Sequence, residues 1–149
     1  MRIVAMSQSE CSDLLKRVSI GRLACSLNDQ PYIVPVAFSY EDNCIYIFST
    51  AGKKIKWMRQ NPKVSLQADE IGSRPNWSSV IVTGTYFELG EVQYAAQREH
   101  AREQLAQYSS WWQTPLAERR ETTSDLSIEP VFVRIDIGSM TGLRALLEA

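Results

Sequence analysis

Two lysines, Lys53 and Lys54, follow a strand-like run ending in Ser49-Thr50 and stand at the start of a helical pattern. A helix N-terminus already carries about half a positive charge, so cations are locally unfavourable there. An anion resolves the conflict, because a phosphate can take free backbone N–H groups, Ser or Thr hydroxyls and ammonium groups at once. Ser49, Thr50, Lys53 and Lys54 are therefore candidate phosphate ligands. Spacing alone leaves a second reading open, a solvated basic turn.

The rest of the composition offers little other chemistry. The net charge is −1 over 149 residues, so no global field points to nucleic acid or an anionic membrane. Cys11, Cys25 and Cys44 are far apart, form no CxxC pair and lie away from the lone histidine, His100. Neither a disulfide framework nor a zinc site is expected, and free thiols fit a reducing cytoplasm. The run Met1–Met6 turns polar too early for a signal peptide, and no apolar run is long enough to span a bilayer. His100 sits among Arg98, Glu99, Arg102 and Glu103, which reads as a solvated helix face.

The elements that must position the basic turn follow from periodicity. Ser7 and Glu10 fit a capping box ahead of Leu14, Leu15 and Val18, a helix expected to end near Gly21. Residues 22–27 alternate as a strand, and Asn28-Asp29-Gln30 makes a turn. Residues 31–40 form a longer strand with Tyr32, Val34, Val36, Phe38 and Tyr40 on one face. Pro35 inside it predicts an edge, a bulge or an open site, since proline cannot donate to a ladder. A tight turn at Glu41-Asp42-Asn43 leads to residues 44–50, apolar on both faces like a strand between two layers.

The helix over 52–60 stops at Asn61-Pro62. Strands are expected over 63–68, 77–89 and 130–137, with Gly84 marking a bulge in the second. Residues 91–108 read as a helix, and 138–149 as a tail with one or two helical turns. Trp57 reads as packing, while Trp77, Trp111 and Trp112 are open between packing and a ligand wall. The class is α+β, mainly β: residues 1–149 form one domain, a six-stranded antiparallel barrel with peripheral helices.

Taken in order, several stretches resemble the pyridoxamine 5′-phosphate oxidase-like flavoproteins. They are Gly21-Arg22-Leu23-Ala24, Tyr32–Val36, Tyr46–Lys54, Asn61–Leu66, Trp77 with Ser79–Gly84, and Met140-Thr141-Gly142-Leu143-Arg144. The short branch that includes the nitroimidazole-resistance reductases is the most similar. The resemblance implies a split β-barrel, a homodimer, and FMN in a groove between subunits. Carried across, Val34, Pro35 and Val36 lie along the isoalloxazine, and Phe48 and Ser49 meet the ribityl–phosphate region. Lys53 and Lys54 hold the phosphate, and Ser79 falls near a position that reaches the ring.

The implied activity is an NAD(P)H-linked reductase or oxidase of small molecules, with FMN passing a hydride's electrons to an acceptor such as a nitro compound. The chain departs from the true pyridoxamine-phosphate oxidases in ending at Arg144–Ala149 without their basic C-terminal segment. Vitamin B6 is thus not the expected substrate. The alternatives are a flavin carrier or sensor without turnover, or a deazaflavin- or haem-binding member of the same fold.

Overall fold

The computed structural model of the chain describes residues 1–73, 76–90, 93–106 and 130–147. Its elements are β1 (Arg2–Ala5), α1 (Gln8–Arg17), β2 (Ile20–Leu27), β3 (Gln30–Glu41), β4 (Cys44–Thr50), α2 (Lys53–Gln60), β5 (Lys63–Ile71), β6 (Trp77–Glu88), α3 (Ala95–Ala106) and β7 (Pro130–Leu146). All strand pairs are antiparallel. The order β7-β4-β3-β2-β5-β6 closes on itself through a β6–β7 ladder, and β1 adds to the outside of β7. The expected six-stranded ring is present, with a seventh strand that sequence periodicity did not show.

Local chemistry accounts for the early hairpins. Asn28 and Asp29, then Asp42 and Asn43, all adopt positive φ, between 49° and 65°. Two-residue loops with both residues left-handed suit the twist of the flanking strands, and Asn and Asp tolerate that region best. The α1 cap is the expected box: Ser7 Oγ accepts from Glu10 N–H at 3.1 Å, and Glu10 Oε1 accepts from Ser7 N–H at 3.2 Å. The helix ends at Arg17, sooner than Gly21 suggested, because Gly21 belongs to β2. A Cβ there would stand 2.9 Å from Gln67 O and 3.1 Å from the Phe38 ring.

The main departure lies at the C-terminus, where the residues expected to form a tail with helical turns extend β7 to Leu146. Serines, threonines and glycines blur the alternation, yet β6 and β1 supply ladder partners from both sides. Gly84 sits at the register shift between β6 and β7, as its position predicted, and a Cβ there would collide with Asp136 O. The third helix spans Ala95–Ala106 within the expected 91–108.

Leu23, Phe38, Ile45, Ile47, Leu66, Val80, Val82 and Ile135 fill the barrel, closed by Leu14 and Leu15 of α1 and by Ile55 and Met58 of α2. Strand β4 divides two layers, as its apolar run implied. Ile45, Ile47 and Ser49 are buried in the barrel, while Tyr46 and Phe48 pack under Ala101 and Leu105 of α3. No described helix is long and apolar enough to cross a membrane.

Candidate functional site

The ring is closed incompletely. Strand β3 pairs with β2 from Gln30 to Ala37, but with β4 only from Phe38 to Glu41. Among the described residues, β4 beyond Ile47 pairs with β7 alone. The barrel therefore opens between the first half of β3 and the end of β4. Phe38 N–H donates to Ser19 O at 2.9 Å, on the β2 side. In a regular strand alternate residues share that direction, so Tyr32, Val34 and Val36 turn their amides toward β2. Pro31, Ile33, Pro35 and Ala37 then turn theirs toward the opening. Both prolines occupy positions where the β2 ladder needs no donor, and their place on an open border is the one Pro35 predicted.

Side chains on this border divide by face. Val36 is buried and Val34 half-buried, both directed at the core, while Pro35 is exposed. The border can thus offer a flat ligand a proline side chain, the Ile33 N–H and a row of carbonyls.

Helix α2 brings the cations to the same place. Ile55 and Met58, three apart, bury against the barrel. Asn61 ends the helix, with its N–H on Trp57 O at 2.8 Å and its Nδ2 donating to Ser26 O at 3.0 Å. At the other end Gly52 is the cap residue, without a capping side chain or an acidic residue in the first turn. The first intrahelical bond is Lys56 N–H to Gly52 O at 3.0 Å, so the N–H groups of Lys53, Lys54 and Ile55 have no acceptor within the helix.

The two lysines differ. Lys54 is half-buried, and desolvation of its ammonium pushes its pKa below the ordinary lysine value, with the Cys25 thiol opposing weakly. Lys53 is exposed and lays its Nζ over two rings, 4.8 Å from the Trp57 centroid and 5.0 Å from that of Tyr32. Those rings stand 5.7 Å apart at 54°. Among the described residues neither lysine has a carboxylate partner. A half-desolvated cation, open helix N–H groups and an unpaired strand border fit a phosphate joined to a planar heterocycle, such as a flavin nucleotide.

Not every predicted residue converges here. Ser49, at the end of β4, is buried with its hydroxyl donating to Thr50 O at 3.1 Å. Phe48 points to the opposite face, edge-on to Phe132 at 5.4 Å, beneath α3. Successive strand residues face opposite ways, so the side chains of Phe48 and Ser49 lie on opposite faces of β4. Ser79 lies on the outer face of β6, where Gln67 Nε2 donates to its Oγ at 3.0 Å and to Asp69 Oδ2 at 2.8 Å. Following Pro35↔Arg22↔Gln67↔Ile81 along the ladders, β6 stands three strands from β3, about 14 Å along the sheet. Trp111 and Trp112 lie outside the described residues. His100 pairs with Glu41 and sets its ring edge-on to Tyr46, away from the opening.

Sequence reasoning missed Tyr32 and Trp57 as neighbours of Lys53. They are 25 positions apart, and only the α2 docking joins them.

Comparison with known proteins identifies the family. The family described as pyridoxamine 5′-phosphate oxidase matches residues 7–144. An uncharacterized protein of Rhizobium meliloti (strain 1021) is 40% identical over 147 residues, covering 97% of each chain. A solved FAD-binding protein from Mesorhizobium loti is 40% identical with a TM-score of 0.81, over 98% of this chain and 100% of that one. A protein from Bacteroides thetaiotaomicron assigned to 5-nitroimidazole antibiotic resistance, 16% identical over 97% of this chain and 89% of its own, shares the fold at a TM-score of 0.67. The chain belongs to the pyridoxamine 5′-phosphate oxidase-like family.

Proposed function

We propose that the protein is a flavin-dependent reductase or oxidase of small molecules, linked to NAD(P)H, with the FMN moiety of its cofactor seated at the open border. The observation that carries this reading is the pairing of two lysines with an uncapped helix start, beside a strand edge, none of which has a carboxylate or strand partner among the described residues. The relative from Mesorhizobium loti, at 40% identity, is FAD-binding, which supports a flavin at the same place here.

Each part of the chain has a distinct task. Lys54 and the first-turn N–H groups hold the phosphate, and Lys53 adds a second charge from the solvent side. The border of β3 orients the ring, with its carbonyls and the Ile33 N–H facing the polar edge of the heterocycle. The bound flavin supplies two-electron redox chemistry; the protein supplies placement and electrostatics. No described side chain at the opening stands out as a general acid, which is compatible with proton exchange through water.

A second copy of the chain completes the site in this proposal. Ile20, Ile33, Ile81 and Leu143 share the outer face of β2, β3, β6 and β7, each about half exposed or more. A groove of about 520 Å³ on that face runs past Ala24, Ser26, Pro31, Ser65 and Thr83. An apolar face of this kind suits a homodimer better than open water.

An absorbance spectrum of the purified protein, followed by flavin titration, tests the reading. Two flavin bands and saturable binding are expected, then bleaching on anaerobic addition of NADH or NADPH. A colourless protein that binds neither FMN nor FAD refutes the proposal. Flavin bands without bleaching by either nucleotide refute the reductase and leave a carrier.

A further inference from the structure

We infer that Pro31 and Pro35 guard the open border of β3 against strand addition, which keeps that border free for a small ligand. A second copy of this chain can then meet the barrel by its outer face, but not by pairing edge to edge. The inference holds with or without a flavin and so goes beyond the function proposed above.

The border is the kind of edge that invites a strand. Among the described residues, nothing pairs with β3 before Phe38 on the side away from β2. Within that stretch Ile33 is 64% exposed. Extended, unpaired and partly apolar edges are templates for pairing with another chain. Strand β1 also ends the sheet, on the outside of β7, but it spans only Arg2–Ala5 and begins with a cation. A short, charged edge is its own safeguard. The border of β3 has neither protection.

What it has instead is a missing donor at every second outward position. Residues 31, 33, 35 and 37 turn their main-chain groups away from β2, because Tyr32, Val34, Val36 and Phe38 turn theirs toward it. An added antiparallel strand would draw on an N–H and a C=O from each outward residue. Pro31 and Pro35 have no N–H to give. Ala37 is buried where the pairing with β4 is about to begin, so Ile33 supplies the donor of the exposed part. The Pro31 carbonyl is occupied as well, accepting from Gln30 Nε2 at 3.1 Å. Neither proline weakens the β2 ladder, where they stand opposite Ser26 and Arg22 at positions that need no donor.

A strand laid along this border would bury two of its carbonyls against proline rings. Leaving a buried carbonyl unpaired costs more than a ladder bond gains. A small ligand escapes that penalty, since it can use the Ile33 N–H and rest an apolar surface on the prolines. Hydrogen bonding alone thus separates the two kinds of occupant.

The test is the mass of the intact chain, stripped of any bound ligand, by sedimentation velocity over a concentration series. Threonine restores an N–H without adding apolar surface, so the variant is Pro31→Thr/Pro35→Thr. It should associate beyond the wild-type state at a concentration lower by roughly tenfold or more, as two restored ladder bonds imply. Its infrared spectrum should gain the amide band of intermolecular β-structure. Adding Ile33→Pro to the double variant removes the donor between the two sites and should suppress both signals. Adding Ile33→Ala, which shortens the side chain but keeps the N–H, should leave them. Thermal melts confirm that each variant is folded. Should the double variant not fold, Pro35→Thr is measured alone, with the same two additions.

A folded threonine variant that keeps the wild-type mass over the whole series overturns the inference. So does association that Ile33→Pro leaves intact, or that Ile33→Ala abolishes equally, since either would trace it to something other than restored donors. None of these results bears on flavin binding by wild type, which is measured separately.

Discussion

The open border of β3 and the wall formed by β5, β6 and β7 are built from similar strands, yet they treat their polar groups in opposite ways. Along the wall the pairing is dense, with Arg144 Nε of β7 buried without a hydrogen-bond partner among the described residues. Arg22, Asp69, Gln67 and Ser79 form a chain of contacts at 3.4, 2.8 and 3.0 Å, and β6 and β7 share an unbroken ladder apart from one bulge. At the border, by contrast, among the described residues a strand edge has no partner, a helix start has no capping side chain, and two lysines have no carboxylate. The proposed flavin would take up these open interactions at the border, whereas the wall offers it fewer.

That contrast can be broken most forcefully at the cations. Replacing both Lys53 and Lys54 with alanine should weaken flavin binding by about 2–5 kcal/mol, as expected for losing charge-assisted hydrogen bonds to a phosphate. Calorimetric titration checks this, and unchanged affinity would refute the assignment. In the wall the largest effect should fall on stability instead. A methyl group at Gly84 collides with Asp136 O, so Gly84→Ala should destabilise the fold by about 1–3 kcal/mol in urea melts. Flavin affinity of the folded fraction should hardly change; a proportionate loss of affinity would show that the wall and the border act as one unit.

A smaller effect is expected at Ser79. Its hydroxyl is already engaged by Gln67, so Ser79→Ala should lower stability by about 1 kcal/mol and move flavin affinity less than threefold. A tenfold loss of affinity would return Ser79 to the ring.

The smallest test is pH. Lys54 attracts a phosphate only when protonated, and desolvation lowers its pKa in the free protein. Flavin affinity should therefore decline on the alkaline side before an ordinary exposed lysine loses its proton. Lys54→Arg, which stays charged, should flatten that decline. A pH profile identical in wild type and Lys54→Arg would place the phosphate elsewhere.

What could be read from the chain divides along the same line. Features encoded locally were legible: the Ser7–Glu10 box, the Asn-Asp and Asp-Asn turns, the stop at Asn61-Pro62, the bulge at Gly84 and the basic helix start. The open border was also foreshadowed, because Pro35 in a strand needs a position without a ladder donor. Features set by distant pairing were not legible. The extension of β7 depends on ladders to β6 and β1, which outweigh a stretch rich in glycine and hydroxyl residues. Ser79 shows the same limit, since its strand could be identified but not its distance of three strands from β3. Phe48 and Ser49 were carried over from the family resemblance, and the sequence alone did not show that strand alternation sends the side chain of one toward α3 and that of the other into the barrel. Tyr32 and Trp57 escaped notice because nothing in the sequence joins them until α2 docks on β2 and β3.

The most direct measurement of the central claim compares FMN with riboflavin, which differ by the phosphate alone. If Lys53, Lys54 and the start of α2 hold that group, wild type should prefer FMN by at least roughly thirtyfold, about 2 kcal/mol. The preference should vanish in the Lys53→Ala/Lys54→Ala variant. Equal affinity of wild type for FMN and riboflavin would contradict the claim, whatever colour the protein carries.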